Sequence, residues 1–144
     1  MPVKIVTPTD SELLNVLGNH LLLRLAGADT GGAYSLVEQI DQPGPGVPLH
    51  IHEREDEAFH VVEGGVELQL GDRALVGGPG TTAFLPRGIA HGYRVVGPGL
   101  TRVLIAAYPA GIEWMFRELD QLTRQGAPMP QVAATCGRFG IRFV

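Results

Sequence analysis

The stretch HIHEREDEAFHVVEGG, residues 50–65, decides how this chain reads. His50 and His52 stand two apart with Ile51 between them. In an extended segment positions i and i+2 share one face, so both imidazoles project to the same side. Glu57 follows His52 by five residues, an odd offset that would turn it away on one unbroken strand. The polar run Glu53-Arg54-Glu55-Asp56 resolves this by reading as a tight turn. Glu57 then lies on a neighbouring strand, where it can face the two histidines. Glu53, Glu55 and Asp56 are expected to form a solvated turn. His60 is three residues after Glu57 and is expected to face away from it.

Outward from this stretch the chain is punctuated by 20 glycines and 11 prolines, spread along its length. Short apolar segments between them read as strands: His20–Leu25, Tyr34–Ile40, Val66–Leu70, Arg73–Val76, Thr82–Leu85, His91–Val96 and Leu100–Tyr108. Ala26–Gly32 reads as a turn-rich connection, Gln42–Pro48 as a loop and Gly71-Asp72 as a hairpin turn. Strands at this spacing predict an all-β sandwich or barrel. Near the N-terminus, Thr9 with Glu12 reads either as a capping box opening a helix through Leu17 or as an irregular arm. After Pro109 the pattern changes. Ile112, Met115, Phe116, Leu119 and Leu122 recur at helical spacing, with Gly126 placed to end the helix. Pro130 opens a second short helix, Gln131–Cys136, and Gly140–Val144 is an apolar tail. Trp114 and Phe116 are expected to serve packing.

The chain has 144 residues, 44% hydrophobic and 18% charged, with a formal net charge of −4. These values predict one domain, 1–144, with a barrel core over about 20–108 and helices over about 111–137. Its one cysteine, Cys136, excludes an internal disulfide and is assigned no role. No basic cluster marks a nucleic-acid surface. No apolar run reaches the roughly 20 residues that span a bilayer, and the N-terminal MPVKIVTPTDSELL does not read as a signal peptide. The expectation is a cytoplasmic protein with no nucleic-acid or membrane partner.

His91 follows the turn Pro86-Arg87-Gly88-Ile89-Ala90 and begins another strand. Inside a barrel it can join His50, His52 and Glu57. Three imidazoles and one carboxylate suit a divalent transition metal: Fe, Mn, Ni, Co, Cu or Zn. The spacing Gly44-(5)-His50-x-His52-(4)-Glu57-(6)-Gly64 resembles the first motif of the cupin superfamily. Gly80-(5)-Pro86-x-Gly88-(2)-His91 resembles the second, with 15 residues between Gly64 and Gly80 as in small microbial cupins. The opening stretch is similar to bacterial cupins grouped with quercetin 2,3-dioxygenase, and PAGIEWMFREL (109–119) is similar to their tail. The resemblance implies a double-stranded β-helix, or jelly-roll barrel, with a C-terminal helical extension. It also implies a small-molecule substrate and a homodimer formed through outer sheet faces, to which His60 and Val62 are suited. One position departs: the second motif ordinarily ends in Asn four residues after its histidine, and here Val95 stands there.

Phe59 and Val61 share parity with Glu57, and Tyr93 and Val95 share it with His91. With Phe84 they are candidates to line a substrate pocket for an aromatic or polyketide-like molecule, or simply to fill the barrel. Glu57 and Tyr93 are the candidate catalytic groups, since a carboxylate can take a hydroxyl proton and a phenol can bond substrate or act as an acid. Arg87 is expected at the surface. The resemblance implies a metal-dependent dioxygenase acting on a small phenol or enol. A non-redox isomerase or polyketide cyclase and a non-catalytic binding cupin are the alternatives.

Overall fold

A computed structural model describes residues 1–44 and 46–144. Pro45, within the predicted loop Gln42–Pro48, lies outside the described residues. Among the described residues, eleven strands and three helices follow in the order β1 (Glu12–Val16), β2 (Asn19–Leu25), α1 (Gly27–Thr30), β3 (Ser35–Asp41), β4 (Gly46–His52), β5 (Asp56–Glu63), β6 (Val66–Leu70), β7 (Arg73–Gly77), β8 (Thr82–Leu85), β9 (His91–Val95), β10 (Thr101–Tyr108), α2 (Ile112–Arg124), α3 (Met129–Arg138) and β11 (Ile141–Phe143). They build two antiparallel sheets, β1-β2-β3-β10-β5-β8 and β11-β4-β9-β6-β7. This is the expected all-β double-stranded β-helix with C-terminal helices.

Between the sheets, Phe59, Val61, Val66, Leu68, Leu85, Tyr93, Val95 and Val103 form one buried cluster. Their parity is what the strand alternation demands, because one face of each sheet must be covered. A second cluster joins Ile112, Met115 and Leu119 of α2 to Val132 and Cys136 of α3, Ile141 of β11 and Ala107 of β10. The helical stripe read from the sequence therefore packs on the sheets, and Cys136 is plain core. Gly126, at φ 65°, follows α2 as expected.

Four readings are corrected. Thr9–Leu17 is not a helix. Thr7 and Asp10 close a turn, with the Thr7 hydroxyl donating to Asp10 Oδ2 at 2.7 Å, and β1 then pairs with β2. The hairpin between them turns on Leu17 and Gly18, both at positive φ (55° and 91°), the geometry of a two-residue primed turn. Pairing that buries Leu14 overrides the local capping signal. Second, β4 and β5 are not neighbours: the turn at Glu53–Glu55 carries the chain from one sheet to the other. Third, the C-terminal tail is a strand, with Ile141 opposite His52 and Phe143 opposite His50. Fourth, Trp114 does not pack into the core. It is 60% exposed, with the Arg117 guanidinium 4.7 Å over its ring, while Phe116 is partly buried as expected.

Gly64 shows why the first motif ends in glycine. Its φ is 77°, and a Cβ there would lie 2.4 Å from Thr101 Oγ1 and 2.6 Å from Leu100 O. Both the backbone conformation and the space exclude a side chain. Gly64→Ala is expected to destabilise the protein by about 2–4 kcal/mol, read by denaturant unfolding. A cost below about 0.5 kcal/mol would contradict this account.

Candidate metal centre

β4 carries His50 and His52 on one face and β9 carries His91. The three ring nitrogens offered as ligands lie within 4.8 Å of one another, and all three residues are buried. β5 brings Glu57 across from the facing sheet. Its Oε2 is 2.9 Å from His91 Nε2 and 3.5 Å from His52 Nε2. His50 Nε2 and His52 Nε2 are 3.0 Å apart.

The far side of each ring is held. His50 Nδ1 donates to Pro48 O at 2.7 Å, and His91 Nδ1 donates to Ile89 O at 3.2 Å. His52 Nδ1 pairs with Glu55 Oε1 at 2.7 Å. A carbonyl can only accept, so these contacts place the proton on Nδ1 and leave the Nε2 lone pair facing inward. Two imidazole lone pairs 3.0 Å apart, and a third 2.9 Å from a carboxylate oxygen, are all acceptors. Such a set fits a cation. Ligands at a metal–nitrogen distance of about 2.1 Å and at right angles stand about 3.0 Å apart. The residues present thus fit a divalent metal, and the cluster of three histidines is a possible metal site.

For His50 and Glu57 the electrostatics agree, and for His52 they oppose. Burial, reinforced by the charges of His91 and His52, draws the pKa of His50 down to about 4. Burial works to lower that of His52 too, but the hydrogen bond to Glu55 and the charge of Glu57 outweigh it and raise it. Burial works to raise that of Glu57, but His91 at hydrogen-bond distance and the charges that His52 and His91 carry when protonated hold it below the usual carboxylate range. An anionic carboxylate beside a neutral imidazole is the protonation a metal requires.

Two expectations about the neighbourhood change. Glu55 is not solvated: it is 6% exposed and orients His52. Nothing in the sequence separates it from Glu53, which is exposed, or from Asp56, whose Oδ1 accepts from Arg87 Nε at 3.1 Å at the surface. Phe84 does not face inward. It is opposite Ala58 on the outer parity of β5 and is 64% exposed, whereas Ala83, opposite Phe59, takes the inner position. Phe59, Val61, Tyr93 and Val95 are all buried between the sheets. Val95, in place of the usual motif Asn, is paired with Val66 and packs in that core. His60 faces outward, with Nδ1 2.6 Å from the Thr82 hydroxyl.

Tyr93 lies two residues from His91, but its hydroxyl spans the barrel and donates to Asp41 Oδ2 at 3.2 Å. Gln39 Nε2 donates to the same oxygen at 2.8 Å. Burial, with the Asp41 charge beside it, pushes the phenol well above its ordinary pKa, so Tyr93 stays protonated. Burial also raises Asp41. Asp41 and Gln39 were invisible as site neighbours because they approach from β3, with no motif of their own.

Residues 37–107 match the family profile described as "Cupin domain". Over residues 37–107 the chain has the fold of a cupin domain. No curated protein matches the sequence. Among solved structures, the polyketide cyclase RemF from Streptomyces resistomycificus is 27% identical with a TM-score of 0.65, over 74% of this chain and 80% of that one. KdgF from Halomonas sp. is 20% identical with a TM-score of 0.68, over 77% of this chain and 99% of its own. A sugar phosphate isomerase of the cupin superfamily from Silicibacter pomeroyi is 19% identical with a TM-score of 0.64, over 74% and 76%. At 20% and 19% identity the latter two bear on fold alone. Among the described residues no helix is long and apolar enough to cross a membrane.

Proposed function

We propose that this cupin is an enzyme that holds one divalent transition metal on His50, His52, His91 and Glu57 and acts on a small phenol or enol. The observation that carries the reading is the set of three imidazoles pinned at Nδ1, turning Nε2 toward one point beside Glu57 Oε2. A divalent ion bound there supplies Lewis-acid polarisation of a substrate oxygen and, if redox-active, electron transfer. The protein supplies the rest. In this reading Glu57 accepts a proton from a substrate hydroxyl, and Tyr93, whose hydroxyl rests on Asp41, is the candidate donor. The apolar cluster of Phe59, Val61, Val95 and Val103 excludes water from the interior.

The likeness to the cyclase RemF supports a non-redox proton transfer, an isomerisation or a polyketide-type cyclisation, as the reaction. The second reading is a dioxygenase. It is favoured by the run at residues 50–65 and its similarity to the quercetin 2,3-dioxygenase group, and by the dry barrel lining. A homodimer through the outer face of β5 and β8 belongs to the same reading, supported by Val62 at 43% and Phe84 at 64% exposure on that face.

Elemental analysis of purified protein tests the metal. Wild type is expected to hold about one ion per chain, and His50→Ala and His91→Ala to lose at least roughly tenfold in affinity. Wild-type-like loading of both variants would sink the reading. Phenols incubated with loaded protein in a sealed oxygen electrode then separate the reactions. Product without oxygen uptake supports isomerisation or cyclisation, uptake tied to metal supports the dioxygenase, and binding without turnover rejects both.

A further inference from the structure

The C-terminal strand is paired to the strand that bears two of the histidines. In β11, Ile141 stands opposite His52 and Phe143 opposite His50. Residues directly opposite in an antiparallel pair present their side chains on the same face. Ile141 is 5% exposed and belongs to the core shared with α2 and α3. Phe143 differs. Its ring centroid is 6.1 Å from that of His50, at an interplanar angle of 53°, yet the residue is 42% exposed. His50, His52, His91 and Glu57 are themselves at most 8% exposed. Phe143 is therefore a large apolar ring that touches the site on one side and solvent on the other.

Its position is set by backbone. Val144 N donates to Leu49 O at 3.2 Å, and Glu53 N donates to Gly140 O at 2.9 Å. Arg142 Nε reaches Glu53 Oε1 at 3.4 Å. The tail is thus stitched to both ends of the His50–Glu53 segment, and the ring is held beside His50 without being buried in the core.

We infer that Phe143 is the aromatic face on which a flat, unsaturated substrate lies at the metal site, and that it selects planar phenols and fused-ring enols over compact ones. A half-exposed phenyl ring gains burial when an aromatic plane covers it, and offset or edge-to-face ring pairs add to that gain. A compact enol has no aromatic plane to lay against the ring. The inference rests on the metal-enzyme reading and names its substrate class.

The test compares two probes on wild type, Phe143→Ala and Phe143→Leu, each loaded with the same divalent metal. 2-Naphthol offers an oxygen and an aromatic plane, and acetylacetone offers an enolic oxygen without one. Calorimetric titration is expected to show both variants weakened about tenfold for 2-naphthol and unchanged within about twofold for acetylacetone. The leucine variant keeps apolar bulk and strand pairing, so a folding defect confined to the alanine variant does not obscure the result. Equal weakening for both probes overturns the inference, as does unchanged 2-naphthol binding or none to wild type. Metal content on the same samples separates the two levels. Loaded protein that shows no preference rejects only the role of Phe143, whereas wild type that takes up no metal rejects both.

Discussion

Glu55→Ala is expected to weaken divalent-metal binding by roughly 10- to 100-fold while the fold persists. Glu55 touches no inward-facing ligand atom. It holds His52 Nδ1 at 2.7 Å and so fixes both the tautomer and the plane of a ring whose Nε2 points at the cluster. Without it, His52 is free to rotate or to carry its proton on Nε2, where it blocks binding. Burial makes the loss larger, since at 6% exposure little water can replace the carboxylate. Glu55→Gln keeps an acceptor in place and is expected to fall between wild type and alanine. Competition titration against a chelator measures the affinities, and circular dichroism checks the fold. An unchanged Kd in Glu55→Ala would remove Glu55 from the site and return it to the solvated turn that its sequence suggests. Glu53, which is exposed in the same turn, is the internal control.

Glu113→Ala is expected to cost about 3–5 kcal/mol of stability, the largest effect of any single change away from the metal centre. Glu113 opens α2 and is 2% exposed. One carboxyl oxygen accepts from Gly27 N at 2.7 Å and the other from Gly111 N at 2.8 Å. It therefore ties the first residue of α1 to the start of α2 and supplies an acceptor at a helix N-terminus. Alanine leaves two backbone donors unpaired and a cavity where the side chain was. For a chain of this length the loss corresponds to a fall in Tm of roughly 10 °C. Trp114→Ala, one residue along at 60% exposure, is expected to change stability by less than about 0.5 kcal/mol by the same thermal melt. Equal effects for the two would mean that burial and hydrogen bonding are not what makes Glu113 matter.

The same contrast shows how far sequence reasoning reaches in this molecule. Apolar alternation located β2, β3, β6, β7, β8, β9 and β10 to within a residue or two at each end, because pleat parity is local and burial enforces it. The helical stripe of α2 was legible for the same reason. His50, His52, Glu57 and His91 were legible because strand parity and turn spacing carry side-chain direction. Parity failed at Phe84, where no neighbouring motif set the phase and only the pairing of Ala83 with Phe59 decides which residue faces in. It also failed at the N-terminus, where a capping pattern is available to any Thr-x-x-Glu and only the partner strand chooses between helix and hairpin.

What the sequence by itself determined is the alternation around residues 50–65, the turn that interrupts it and hence a sheet fold with three histidines and a glutamate available to one interior. Those are properties of neighbours along the chain, and short-range sterics and burial are enough to set them. Only the tertiary structure decided that Glu57 approaches from the opposite sheet and that Glu55, alone among three acids in one turn, is drawn inside to hold His52. The approach of Asp41 and Gln39 to Tyr93 from across the barrel, and of Phe143 to His50 from the far end of the chain, belongs to the same class. Each depends on which strands become neighbours. That is settled by closing the two sheets around one core, and no local pattern records it.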